Sequence, residues 1–234
     1  MIIEAEFVKS AAAASDLPRE GVPEVAMVGR SNVGKSSLIN ALVRKKVART
    51  SAAPGKTRLA NIYRVARGSS RPFFLVDLPG YGYARGGAQS AREFEELARA
   101  FFGRAGHARP APSPRQASVS ALLLVDARHP GLESDVDAWT WMRQAVGASA
   151  LVATKIDKLS RGERIRALRD LQSVFEDPIL PVSAATGEGL DELWKLIESL
   201  TNSNLTPRNR SGPPGPPPPK KPSPTGRPTN PRKR

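Results

Sequence analysis

The eight residues Gly29, Arg30, Ser31, Asn32, Val33, Gly34, Lys35 and Ser36 match the pattern G-x-x-x-x-G-K-[ST]. In this pattern the glycines let the backbone curl so that its N–H groups face phosphate oxygens, and the helix that follows adds its positive end. A lysine at position 35 pairs with β- and γ-phosphates, and the Ser36 hydroxyl is a ligand for Mg²⁺. The context is the one this chemistry needs. An apolar run over 22–28 predicts a strand just before the motif, and Leu38, Ile39, Leu42 and Val43 predict a helix just after it.

Three more segments follow in the order a nucleotide site requires. Asp77, Leu78, Pro79 and Gly80 begin where the strand 72–76 should end. An aspartate there can hold Mg²⁺ through water, and the Gly80 N–H can meet a γ-phosphate. Thr154, Lys155, Ile156 and Asp157 follow a strand over 148–153. The Asp157 carboxylate can accept from both N1–H and the 2-amino group of guanine, a donor pair that adenine lacks. Val182, Ser183 and Ala184 close the next strand and can offer backbone N–H groups to the guanine carbonyl. Each string alone is common; four in order, each at the C-terminal end of a strand, point to the edge where α/β sheets bind ligands. A threonine that reaches Mg²⁺ only beside a γ-phosphate is expected ahead of the second strand. Thr57 is preferred to Thr50, because Pro54-Gly55-Lys56 gives it a mobile loop. Direct contact with the reacting phosphate thus falls to Lys35, Thr57 and Gly80. Gly55, Lys56, Arg58 and Leu59 flank the threonine.

The elements that must position these residues alternate between strand and helix. After the strand at 22–28 and the helix at 36–43, 59–66 and 72–76 predict a hairpin. Phe94, Leu97, Ala98, Phe101 and Phe102 recur at helical spacing, and 118–126 is an apolar strand that ends in Asp126. Val136, Trp139, Met142 and Val146 mark a helix, with Trp141 off its stripe and expected at the surface. Ile165, Leu168, Leu171 and Phe175 mark another. A short strand at 179–182 and a helix carrying Leu190, Leu193, Trp194, Ile197 and Leu200 close the fold. The expected class is α/β: a three-layer P-loop fold whose mostly parallel six-stranded sheet has one antiparallel strand and helices on both faces. The expected domain spans 21–200, after an N-terminal segment 1–20.

Composition bounds the rest. The 234 residues include no cysteine and two histidines, which excludes disulfide scaffolds, thiolate metal sites and cysteine nucleophiles. His129, beside Asp126 and Arg128, reads as structural or partner-facing rather than catalytic, and His107 is assigned no role. The net charge of +14 points to a polyanion, either nucleic acid or an anionic membrane face. Residues 201–234 hold eleven prolines, eight Lys/Arg and no acid. They cannot bury a core and should be disordered or polyproline-like. They read as a solubilising tail or, because the charge has a single sign, as an arm that touches RNA. Residues 103–117, with three prolines and three arginines, read as a surface loop. No secretory signal or membrane span is visible, so a soluble cytoplasmic protein is expected.

The strings Gly29–Asn40, Pro54–Arg58, Asp77-Leu-Pro-Gly-Tyr-Gly-Tyr83, Asp126-Ala-Arg-His129 and Thr154–Leu159 together resemble the EngB (YsxC/YihA) family of bacterial ribosome-biogenesis GTP-binding proteins, over about residues 5–200. The resemblance implies a compact GTPase that uses Mg²⁺ through Ser36 and Thr57. It further implies binding to the large ribosomal subunit during assembly, and a link to cell division and septation. A monomer is expected. Two departures from the common GTPase pattern imply slow hydrolysis without a partner and moderate nucleotide affinity. Tyr81 stands where a water-orienting glutamine is usual, and Thr154 where asparagine is commoner; no arginine finger is evident, although Arg30 and Arg85 lie near. Asn32 resembles the asparagine that helps bind K⁺ in cation-activated relatives; a loop-stabilising role weighs equally. Two further readings stay open: a basic RNA-binding assembly factor whose nucleotide site is structural, and a membrane-surface GTPase. The second is weakened because the tail has no lipidation cysteine and no amphipathic stripe.

Overall fold

Glu24–Gly29, named β2 here, is buried along its whole length. Its side chains alternate, Ala26 and Val28 packing into one core and Val25 and Met27 into another. A strand buried on both faces needs helices on both, and the rest of the chain supplies them. The computed structural model describes residues 2–18, 21–49, 59–81, 95–103 and 119–202. Around β2 lie β1 (Ile3–Ala11), α1 (Lys35–Val43), β3 (Ala60–Arg67), β4 (Phe73–Asp77) and α2 (95–103). Then come β5 (Val119–Asp126), α3 (Glu133–Ala145), β6 (Ala148–Thr154), α4 (Arg161–Phe175), β7 (Ile179–Pro181) and α5 (Leu190–Asn202).

The sheet runs β1-β3-β4-β2-β5-β6-β7. Strands β4, β2, β5, β6 and β7 are mutually parallel, while β3 is antiparallel to both β4 and β1. The expected class therefore holds, with β3 as the one reversed strand. The strand count is corrected from six to seven among the described residues. The seventh is Ile3–Ala11, from the segment read as lying ahead of the domain. It is an edge strand whose register slips between Phe7 and Lys9, leaving Phe7 52% exposed.

One face carries α1 and α5, through Leu38, Ile39 and Leu42 and through Leu193, Trp194 and Ile197. The other carries α2, α3 and α4, through Phe101 and Phe102, Trp139 and Met142, and Leu171 and Phe175. Two expected placements are reversed. Trp141 is buried, because α2 covers that side of α3 and Phe102 packs edge-on against it at 5.3 Å. Ile165 is exposed; α4 meets the sheet through Ala167, Leu171 and Phe175 instead. The expected Phe94 and the loop 104–117 lie outside the described residues.

The last helix is anchored at both ends. The Trp194 indole N–H donates to the Leu42 carbonyl, and the buried Ser120 hydroxyl donates to the Leu200 carbonyl. α5 continues to Asn202, two residues past the expected boundary. The parallel strands bring the C-terminal ends of β2, β4, β5, β6 and β7 to one sheet edge.

Candidate nucleotide-binding site

The loop between β2 and α1 is shaped for an anion. The first turn of α1 has no acidic residue and no side-chain cap, so its N–H groups stay open. Gly34 sits at φ +111° just ahead of the helix, a conformation that disfavours any residue with a β-carbon. Val33 is buried and pins the loop, and its N–H donates to the Arg30 carbonyl. The Lys35 ammonium lies within the loop, donating to the Gly29 carbonyl at 3.1 Å and the Arg30 carbonyl at 3.5 Å. Burial pushes its pKa down, and the nearby Asp77 carboxylate opposes that.

The Asp77 segment folds directly over this loop. Leu78 and Pro79 are buried, and the Leu78 N–H donates to the Met27 carbonyl. The Ser31 N–H donates to the Tyr81 carbonyl at 3.0 Å, and the Ser31 hydroxyl lies 3.4 Å from the Gly80 carbonyl. A β-carbon on Gly80 would stand 2.7 Å from the Ser31 nitrogen, so only glycine allows this approach. Tyr81 turns away from the phosphate loop: its hydroxyl donates to Asp135 Oδ1 on α3 at 2.8 Å. Burial and the Asp135 carboxylate push the Tyr81 pKa well up.

A hydrated divalent cation fits what lies between these segments. The Ser36 hydroxyl donates to Asp77 Oδ2 at 3.1 Å, which leaves the serine oxygen's lone pairs for a hard cation. Asp77 Oδ1 is buried without a hydrogen-bond partner among the described residues, an acceptor suited to a metal-bound water. Burial raises the Asp77 pKa, against Lys35 and Ser36, which lower it.

The Thr154–Asp157 loop is tied to the loop between β2 and α1. The buried Thr154 hydroxyl lies 2.8 Å from the Val33 carbonyl and 3.1 Å from that of Val125. Its one donor is thus engaged with backbone. Lys155 Nζ donates to the Asn32 carbonyl at 2.5 Å and to Asp126 Oδ2 at 2.9 Å. Asn32 holds φ +63°, which asparagine tolerates better than most residues. Asp157 Oδ1 accepts the Ser183 hydroxyl at 2.7 Å, and Lys158 Nζ lies 3.4 Å from Oδ2. The Ser183 bond is the chief reason the Asp157 pKa is lowered. Ser183 Oγ in turn accepts the Ala185 and Thr186 N–H groups. Ile156 and Val182 are buried beneath, and Ala184 is half-buried.

The structure thus gathers residues 29–36, 77–80, 154–157 and 182–184 at one sheet edge. Gly55, Lys56, Thr57 and Arg58, with Thr50 and Arg85, lie outside the described residues; Leu59 is exposed just ahead of β3. Two participants were not assigned from sequence. Asp135 carries no motif; only its fold position reveals it. Asp126 ends its strand as Asp77 does, and that parallel was the available signal. It accepts the Arg128 guanidinium twice, at 2.9 and 2.7 Å, as well as Lys155. Burial pushes the Asp126 carboxyl up, but these bonds outweigh it and hold the pKa at about 2.

Asp126 therefore stabilises the fold when ionised. A carboxyl whose folded pKa is depressed from 3.8 contributes above that value and loses its contribution as pH falls towards 2. Asp126→Asn is expected to cost about 1–2 kcal/mol at neutral pH, allowing for solvent at Arg128. Urea unfolding should show the gap to wild type shrinking as pH falls from about 4 towards 2. A gap independent of pH would mean that the charge is not the stabilising feature.

A doubly wound sheet with a glycine-lysine-serine loop ahead of α1 and the Thr154–Asp157 loop at the same edge is the arrangement of a P-loop nucleotide-binding domain. The family model described as a 50S ribosome-binding GTPase matches residues 24–155. The chain is 40% identical to the probable GTP-binding protein EngB of Pelotomaculum thermopropionicum over 84% of this chain and 94% of that one. It is 39% identical to that of Thermotoga maritima, over 87% of this chain and all of the other. The chain belongs to the EngB family of GTP-binding proteins. The crystal structure of a probable GTP-binding protein EngB superposes with a TM-score of 0.55 at 23% identity, over 76% of this chain and 98% of that one. Aquifex aeolicus Era bound to GDP and aluminium fluoride gives 0.60 at 22% identity, over 82% of this chain and 61% of that one. These two establish likeness of fold.

Proposed function

We propose that this protein binds and slowly hydrolyses GTP as a switch in assembly of the large ribosomal subunit, in the cytoplasm, with the family's link to cell division. The observation that carries the switch is the contact of Gly80 and Tyr81 with Ser31. The segment expected to sense a γ-phosphate rests on the loop expected to hold it, so the third phosphate must change that contact. GTP and GDP then favour different arrangements of one surface element.

Lys35 and the loop amides bind and orient the phosphates. Ser36 would hold Mg²⁺, with Thr57 as its second protein ligand and Asp77 accepting from a coordinated water. When bound, the ion neutralises charge on the phosphates. Tyr81 gives its hydroxyl to Asp135, which supports slow turnover without a partner, at roughly 10⁻⁴ to 10⁻² per second. The ribosomal role is supported by the description of the matching family model. Among the described residues no helix is long and apolar enough to cross a membrane.

The test is co-sedimentation with large-subunit particles. Stronger binding with a non-hydrolysable GTP analogue than with GDP, and a hydrolysis rate that rises with added particles, are expected. Equal binding in both states with an unchanged rate would instead support an RNA-binding factor whose nucleotide site is structural.

Truncation belongs after Asn202, since Leu200 is bonded to Ser120. Removing residues 203–234 takes away eight Lys/Arg and no acid. GTP affinity should be unchanged, while the dependence of particle binding on log salt should flatten by several units, at about 0.7 per phosphate contact. An unchanged slope would leave the tail as a solubilising segment.

A further inference from the structure

We infer that the loop 44–49, at the C-terminal end of α1, is a platform that docks on the phosphate backbone of RNA. The platform rests on the ribosomal reading above and gives it a location. Residues 25–76 contain eleven Lys/Arg and no Asp or Glu. Arg44, Lys45, Lys46 and Arg49 fall within six positions of that stretch, and all four are exposed. No ion pair joins any of them to a carboxylate among the described residues. Elsewhere such pairing is common: Arg67 pairs with Glu198, Arg143 with Asp177, Arg164 with Glu188 and Lys155 with Asp126. Cations concentrated in one loop and left to solvent form the electrostatic footprint of a polyanion site.

The loop is also held in one shape. Asn40 on α1 accepts the Val47 and Ala48 N–H groups at 2.9 and 2.8 Å, and its amide donates to the Ala48 carbonyl at 2.8 Å. Ala48 is buried and Val47 packs against the core beneath. The cations are therefore mounted on ordered backbone, which reduces the entropy lost on docking. The same two contacts argue against an anionic membrane as the partner. The loop's apolar side chains point into the protein and leave none to insert among lipids.

Arg44 gives the proposal a sharp test. It terminates α1 in the left-handed region at φ +53°, with its N–H donating to the Ala41 carbonyl and the Lys45 N–H to that of Asn40. Glycine is the residue this position favours, and a side chain there costs up to about 1 kcal/mol. The exposed Glu176 ends α4 in the same region at φ +55°, so the conformation is not specific to cations, but it lets glycine remove the Arg44 charge without loss of stability.

Charge and fold stability are thereby separated at this position. Full-length wild type, Arg44→Gly and the combined Arg44→Gly, Lys45→Gln, Lys46→Gln, Arg49→Gln variant are titrated against purified large-subunit ribosomal RNA over a salt series. Unfolding and affinity for a fluorescent GDP analogue are measured beside them. Arg44→Gly should match or exceed wild type in stability, yet lower the salt slope by just under one unit, at about 0.7–0.9 per contact. The combined variant should bind RNA at least about tenfold more weakly, with a slope lower by about 2–3 units and unchanged GDP affinity. RNA binding at wild-type affinity and slope by the combined variant overturns the platform while leaving the ribosomal reading in place. If wild type itself fails to bind either RNA or large-subunit particles, the ribosomal reading fails and the platform with it. If the combined variant loses binding to phosphatidylglycerol vesicles but not to RNA, the loop is a membrane contact and the inference is wrong.

Discussion

Replacing Lys35 with alanine is expected to lower affinity for GTP and GDP by at least about a thousandfold, a loss of roughly 4 kcal/mol. The Lys35 ammonium lies among the Gly29 and Arg30 carbonyls with Asp77 close by. It is the one full positive charge buried inside this loop. Each charge-assisted hydrogen bond to a phosphate in such a site contributes about 1.5–3 kcal/mol, and a lysine can make two. Alanine also leaves the phosphates facing Asp77 without the cation that separates their charges. Both nucleotides should be affected, because the β-phosphate is common to them. Titration with fluorescent GTP and GDP analogues decides the matter, with circular dichroism to show that the variant still unfolds cooperatively. Binding within tenfold of wild type in a folded variant would show that the loop amides alone hold the phosphates. Lys35 would then have to be reassigned as a loop-stabilising residue.

How much of this could be read from sequence follows a physical division. The phosphate loop, the Asp77 segment and the Thr154–Asp157 segment were legible because each is contiguous and each ends a strand of unmistakable apolar character. The parallel class followed from the same alternation. What escaped depends on contacts between segments far apart in the chain. β1 alternates only over Ile3–Phe7, and its bulge then puts Phe7 and Val8 both outside and breaks the pattern. Trp141 is off its own helix's stripe and is buried only because α2 arrives on that side. Ser183 was read as a backbone contact to the base; in the structure its N–H donates to the Glu188 carbonyl and its hydroxyl to Asp157, neither of which has a local signature. Tyr81 was noted only for what it replaces; its bond to Asp135 spans 54 positions and has no local signature.

Asp157→Asn is expected to convert a GTP site into one that prefers xanthosine triphosphate. The geometry around the carboxylate makes the direction of this change specific. Ser183 Oγ already accepts two N–H groups, from Ala185 and Thr186, so its own proton must be donated to residue 157. An amide at 157 can satisfy it only by presenting its oxygen to Ser183. Its NH₂ then takes the place of Oδ2, where Lys158 Nζ lies 3.4 Å away and a second acceptor for guanine is lost. Two donors, the introduced NH₂ and the guanine 2-amino group, are left opposed in a partly dry pocket. An unmet donor of this kind costs about 1–3 kcal/mol, on top of the charge-assisted bond that is gone. GTP affinity should therefore fall by at least about a hundredfold, roughly 2.7 kcal/mol. Xanthosine triphosphate has an oxygen in place of the 2-amino group and can accept from the new NH₂, so its affinity should rise. The contacts of Lys35 and Ser36 do not involve the base and should be unchanged for both nucleotides. Titrating both against wild type and variant gives four affinities, and the prediction is a crossover in their order. Should the variant hold GTP as tightly as wild type, guanine is read by a group other than Asp157. Asp126 is not that group, because its oxygens are committed to Arg128 and Lys155.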